Sequence, residues 1–146
     1  MSRSDTYFAL DPSLPALGPG RYVDLDDLSP VEFVSGLEFR PVIGDRMLVS
    51  FARYRPFTEA PVHAHEEEQV TFVIDGEFEF NLDGDVRTMR PGMAVHVPPG
   101  VPHGARTHDS ACFEVDVFSP PRGVLVEAVK ALASGEELVA DPPAAG

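Results

Sequence analysis

Apolar and polar residues alternate along this chain in short runs, and proline or glycine cuts each run from the next. Alternation with a period of two puts every second side chain on one face, as in a half-buried strand. It predicts strands over 36–43, 46–54, 62–65, 69–74, 77–82, 86–89, 94–97, 103–107 and 111–118. The residues between them suit tight turns: Asp75-Gly76, the run Asp83 to Asp85, Pro91-Gly92 and the run Pro98 to Pro102. Many short strands joined this way predict an all-β antiparallel sandwich or barrel.

Two segments break the alternation. Residues 27–34, DLSPVEFV, predict a short helical turn capped by Ser29, with Pro30 at its first position. Near the end, RGVLVEAVKALASG places Leu125, Ala128, Val129 and Leu132 on one helical face, with Gly135 as the stop. This helix is expected across the outside of the barrel. The chain then divides into an N-terminal arm and lead-in (1–35), the barrel (36–120) and a C-terminal helix and tail (121–146).

Composition narrows the function classes. With 146 residues, 43% of them hydrophobic, the chain can build one core. The formal charge of −13 opposes binding to nucleic acid or an anionic membrane, so the expected partner is a small-molecule substrate. Residues 1–20 lack the apolar run of a signal peptide and no window suits a membrane span, so a cytoplasmic location is expected. Lys130 is the sole lysine beside ten arginines and 15 prolines, a bias that fits a GC-rich bacterial genome. Cys112 cannot form an internal disulfide, and its apolar and acidic neighbours predict a buried, inert thiol.

The candidate chemistry lies in VHAHEEEQV, residues 62–70. On a strand, His63 and His65 point to the same face, a spacing suited to one metal ion. His103 follows the rigid turn PPGVP and adds a third imidazole. Three histidines with an oxygen ligand suit a divalent transition metal, zinc first, with iron, manganese, nickel or cobalt as alternatives.

These motifs together resemble those of the cupin superfamily. PVHAHEEEQVTFVIDG (61–76) is similar to its first signature, at His63, His65, Gln69 and Gly76, and GMAVHVPPGVPHGART (92–107) to its second, at Gly92, Pro98, Gly100 and His103. It departs from the pattern in having Gln69 where glutamate is commoner and Thr107 where asparagine is common. The resemblance implies a double-stranded β-helix, or jelly-roll barrel, and selects Gln69 as fourth ligand. Glu66 and Glu67 are expected in solvent, and Glu68 opposite Gln69, unless a kink brings Glu68 to the metal instead. The resemblance also implies a homodimer built through the N-terminal arm and residues 36–54.

A neutral glutamine leaves the divalent charge uncompensated, which favours carbonyl polarisation over oxygen chemistry. DVFSPPR (116–122) is similar to the end of the barrel in the small uronate cupins of pectin degradation, where the matching residues line the site. That similarity implies Asp116 as acid or base, Phe118 as an apolar wall and Arg122 as a polar contact. His96 is a further proton-transfer candidate or ligand, and Thr71 and Arg53 are assigned to the substrate pocket. The chain also looks like the cupin-type cyclases of aromatic polyketide pathways such as that of resistomycin. Three functional classes follow: a cyclase promoting enolisation and aldol closure of a polycarbonyl compound, a uronate ring-opening enzyme, and a dioxygenase or non-catalytic binder. An apolar pocket would favour the first, and two inward arginines the second.

Overall fold

The computed structural model describes residues 2–142, and the chain is mostly strands. After a short helix α1 (Arg3–Tyr7) and a 3-10 turn (Leu25–Asp27) come β1 (Val31–Val34), β2 (Leu37–Ile43), β3 (Leu48–Tyr54), β4 (Glu59–His63) and β5 (Glu68–Gly76). They are followed by β6 (Phe78–Leu82), β7 (Asp85–Met89), β8 (Ala94–Val97), β9 (His103–Arg106), β10 (Cys112–Ser119) and the helix α2 (Gly123–Ala133). The strands form two antiparallel sheets, ordered β1-β2-β3-β10-β5-β8 and β4-β9-β6-β7.

Alternation dictates which side chains enter the space between the sheets. On β5, Gln69, Thr71 and Val73 are buried while Glu68, Val70 and Phe72 are exposed. β10 turns Cys112, Glu114, Asp116 and Phe118 to the same interior. Leu37, Ala52, Tyr54, Val73, Phe78, Phe80 and Val97 pack around that space. Cys112 is buried, and burial pushes its thiol up to about 12, in keeping with an inert residue.

The predicted helical turn over 27–34 is not formed. Val31–Val34 is instead a strand paired with β2, and the turn lies earlier, at Leu25–Asp27, capped by the Asp24 carboxylate. Val31 is fully buried, and its β-branched side chain gains more on the edge of a sheet than in an isolated turn. The expected tail is also tied down as far as Asp141, which exchanges backbone hydrogen bonds with Phe33 and Ser35 of the β1 segment. Residues 143–146 of that tail lie outside the described residues.

The C-terminal helix forms as expected and ends at Gly135 with φ of +87°. It buries Leu125 and Ala128 against Val31, Leu48 and Phe118, and its first turn brings Val124 and Leu125 to the border of the interior cavity. In the N-terminal arm, Tyr7, Phe8, Leu10, Leu14 and Leu17 are exposed. Thr107, the departure at the end of the second motif, ties two loops together: its hydroxyl accepts from the Thr58 N–H and donates to the Arg55 carbonyl.

Candidate metal centre and its cavity

The metal candidates come from three backbone devices. β4 and β9 pair with a register shift between Ala60 and His63, so that His63 stands directly opposite His103. Gly104 permits the bulge, because a Cβ there would lie 2.9 Å from the Ala60 carbonyl oxygen. His65, expected at the end of the same strand, lies beyond it, since β4 runs from Glu59 to His63. Its backbone carbonyl accepts from Gly100, which holds the loop against the second motif. Gln69 arrives from β5, inward and 5% exposed.

These side chains converge. The ligand atoms of His63, His65 and His103 lie within 4.8 Å of one another, and these three histidines could hold a metal ion. Each Nδ1 donates to a backbone carbonyl: His63 to Pro61 at 2.8 Å, His65 to Glu67 at 2.9 Å and His103 to Val101 at 2.9 Å. A carbonyl can only accept, so each neutral ring presents the lone pair of Nε2. Burial lowers the pKa of His65, with the Arg122 charge adding to the effect, and lowers that of His103 to about 4. Both are therefore neutral at pH 7.

The Gln69 Oε1 lies 3.0 Å from His65 Nε2 and 3.1 Å from His103 Nε2. Three lone-pair atoms aimed at one point repel unless a cation sits among them, so the donor set fits a metal ion. The other end of the amide fixes its orientation. Its Nε2 donates to Thr71 Oγ1 at 2.8 Å and to Asp116 Oδ1 at 3.3 Å, while the Thr71 hydroxyl donates to the same Oδ1 at 2.6 Å.

A cavity of about 330 Å³ opens beside this centre. His63, Gln69 and His103 border it with Asp116, Phe118 and Arg122. Beyond them its walls are largely apolar, with Leu37, Phe39, Tyr54, Phe78 and Phe80. Asp116 is 8% exposed, and burial raises its pKa despite the bonds that favour its anion. Arg122 stands at the start of α2, its Nη1 3.7 Å from Glu67 Oε1.

Several sequence expectations need correction. His96 faces away from the cavity: it sits opposite outward-facing Val70, and its Nε2 is 2.7 Å from Glu68 Oε2 on the outer face. The β5–β8 register decides this, and no single strand reveals it. Arg53 also points outward, its guanidinium 4.5 Å above the Phe113 ring. Thr71 is fully buried beneath the site and braces Gln69 and Asp116, and it is not part of the cavity wall. Glu67, expected in solvent, has a side chain only 14% exposed, and its carboxylate accepts from the Gly123 N–H at 3.0 Å. Glu68 points opposite to Gln69, as strand parity required.

Sequence reading missed Glu114, which is 1% exposed and borders the cavity. Its signal was its parity with Asp116 and Phe118. Phe33 and Val34, hidden by the expected helical turn, also reach the cavity.

Comparison with known proteins agrees with this architecture. The cupin domain family model matches residues 50–118. Among curated proteins, the chain is 31% identical to H2HPP isomerase of Bacillus subtilis over 91 residues, 60% of this chain and 38% of that protein. It is 42% identical to the dimethylsulfoniopropionate lyase DddQ of Ruegeria pomeroyi over 50 residues, 34% of this chain and 25% of that one. The chain thus spans well under half the length of these relatives. Among solved structures, an RmlC-like cupin from Shewanella frigidimarina superposes with a TM-score of 0.68 at 27% identity, covering 73% of this chain and 96% of that one. KdgF from Halomonas sp. gives 0.68 at 23%, covering 73% and 99%. The polyketide cyclase RemF from Streptomyces resistomycificus gives 0.63 at 24%, covering 69% and 80%. At the identities of these last two, the likeness carries the fold alone. The matched domain, the two sheets and the cupin that superposes at 27% identity agree: residues 50–118 match the cupin domain family, and the chain has the cupin fold.

Proposed function

We propose that this protein is a metal-dependent cupin of the cyclase or isomerase type, promoting enolisation and aldol closure of a polycarbonyl substrate of aromatic natural-product biosynthesis. The observation that carries this reading is the cavity: largely apolar walls, a carboxyl at the histidine cluster, and one arginine, Arg122, already engaged by Glu67. Such a space suits an oligoketide better than a polyanionic sugar. A divalent ion held by His63, His65, His103 and Gln69, zinc first, would supply Lewis-acid polarisation of a substrate carbonyl.

Asp116 is the base in this scheme. Thr71 and Gln69 both bond its Oδ1, Glu114 is hydrogen-bonded to the same carboxyl, and Oδ2 is the atom that takes a proton from the activated carbon. Burial raises its pKa, making it a stronger base than a surface aspartate. The carbon's electron pair then forms the new bond to a second carbonyl carbon, and the oxygen of that carbonyl recovers the proton from Asp116. No oxidant is consumed. The isomerase and lyase named among the relatives belong to reaction classes that likewise need no oxidant.

A uronate ring-opening activity is the second reading, favoured by one observation: Asp116, Phe118 and Arg122 all border the cavity, as the resemblance to uronate cupins implies. The two are separated by offering zinc-loaded protein a linear poly-β-ketone and, in parallel, a 4,5-unsaturated uronate. Formation of a cyclised aldol adduct of the same mass as the substrate, or lighter by one water once its hydroxyl and a neighbouring C–H are lost together in aromatisation, is expected, and is abolished in Asp116→Asn. Uronate opening without ketone cyclisation would transfer the assignment to the second reading.

A further inference from the structure

The inward face of β10 is layered. Asp116 has polar cross-strand neighbours, Ser50 on β3 and Thr71 on β5. Two residues earlier, Glu114 stands between Ala52 and Val73, both apolar and buried. A carboxyl with apolar neighbours is costly to bury unless something pairs with it. Among the described residues, Glu114 Oε2 has no hydrogen-bond partner, although the side chain is fully buried and borders the cavity. Ser50 Oγ shares this lack of a partner, while Gln69, Thr71 and Thr107 are all hydrogen-bonded.

We propose that Glu114 is the specificity-determining residue of the cavity's inner chamber, hydrogen-bonding a hydroxyl or keto group on the far end of a substrate whose near carbonyl lies at the histidine cluster. This rests on the functional reading above and adds to it the chemistry of the substrate's distal end. Two residues along a strand span about 7 Å, so Glu114 lies roughly one aromatic ring deeper than Asp116. The chamber there is walled by Tyr54, Phe78 and Phe80, which suits an aromatic or conjugated body. Burial, with the charge of Asp116 next and then a hydrogen bond with the Asp116 side chain, pushes the Glu114 carboxyl well above its ordinary range, and Oε2 is the oxygen left for a substrate. A neutral acid both donates and accepts, so a hydroxyl and a carbonyl are each admissible. A distal carboxylate is not, because it would add a further acid to the buried Glu114 and Asp116 without a countercharge.

The test uses matched β-diketones, benzoylacetone and its para-hydroxyphenyl analogue, titrated by calorimetry into zinc-loaded wild type, Glu114→Gln and Glu114→Leu. Zinc content and thermal midpoint are measured on each protein. Wild type is expected to favour the hydroxylated probe by about tenfold or more, the scale of one buried hydrogen bond. Glu114→Gln should keep most of that preference. Glu114→Leu should lose it while binding benzoylacetone as before, with full zinc content and an unchanged or higher midpoint.

Binding of both probes by wild type without preference would overturn the role of Glu114 and leave the metal-assisted carbonyl reading standing. A lower midpoint in Glu114→Leu with the preference intact would also overturn it, marking a residue that serves folding. If neither probe binds a zinc-loaded wild type, the carbonyl reading falls and this inference falls with it.

Discussion

Replacing Thr71 with valine tests the brace beneath the site. The two side chains have nearly the same shape, so the packing of this fully buried position is kept and the hydroxyl alone is lost. That hydroxyl donates to Asp116 Oδ1 at 2.6 Å and accepts from Gln69 Nε2 at 2.8 Å. A hydrogen bond to a charged group contributes about 1.5–3 kcal/mol and a neutral one about 1 kcal/mol, so the loss should approach about 3 kcal/mol when Asp116 is ionised. In a domain of this size that lowers the thermal midpoint by roughly 6–12 °C.

The loss should also depend on pH. The folded-state pKa of Asp116 is raised above its unfolded value, so its ionisation costs stability as pH rises through the folded value. The Thr71 bond lowers that pKa, and its removal raises it further. The deficit of Thr71→Val relative to wild type should therefore be small near pH 4 and grow toward neutrality. Urea denaturation of the metal-free proteins from pH 4 to pH 8 measures it, with Thr71→Ser as the rescue. Zinc affinity, measured against a chromophoric chelator, should fall about tenfold or more because Gln69 loses its orientation. A pH-independent deficit, or zinc affinity equal to wild type, would refute the brace.

Three further outcomes are expected. His63→Ala and Gln69→Ala, purified without added metal and subjected to elemental analysis, should both lose stoichiometric metal; full retention in both would end the assignment of these ligands. With iron loaded, Gln69→Glu should lower the Fe(III)/Fe(II) potential relative to wild type, since a carboxylate favours the trivalent ion, and equal potentials in cyclic voltammetry would remove the electrostatic argument for glutamine. Gly76→Ala should cost about 2–4 kcal/mol in urea denaturation. Gly76 has φ of +77°, and an added Cβ would lie 2.2 Å from the Ala111 carbonyl oxygen, so the left-handed strain and the steric clash act together. A cost below about 1 kcal/mol would show that the hairpin relaxes freely.

Much of this molecule is determined by local sequence. Alternation marked nine of its strands, because a strand with one buried face must repeat every two residues whatever it packs against. Motif spacing picked out His63, His65, Gln69 and His103, and parity alone sent Glu68 away from them. The helix at Gly123–Ala133 and its glycine stop were likewise local facts.

What depended on pairing was not legible. Whether His96 and Arg53 face inward depends on the register of β8 against β5 and of β3 against β10, and one residue of slip reverses either answer. Val31–Val34 became a strand because an edge of β2 was available to it, and Glu67 left solvent because the N-terminus of α2 came to it. The same holds for Glu114. Its parity could be read from the chain, but only the closed barrel placed apolar neighbours on both sides of it, set it at the cavity's border and left one of its oxygens unpaired.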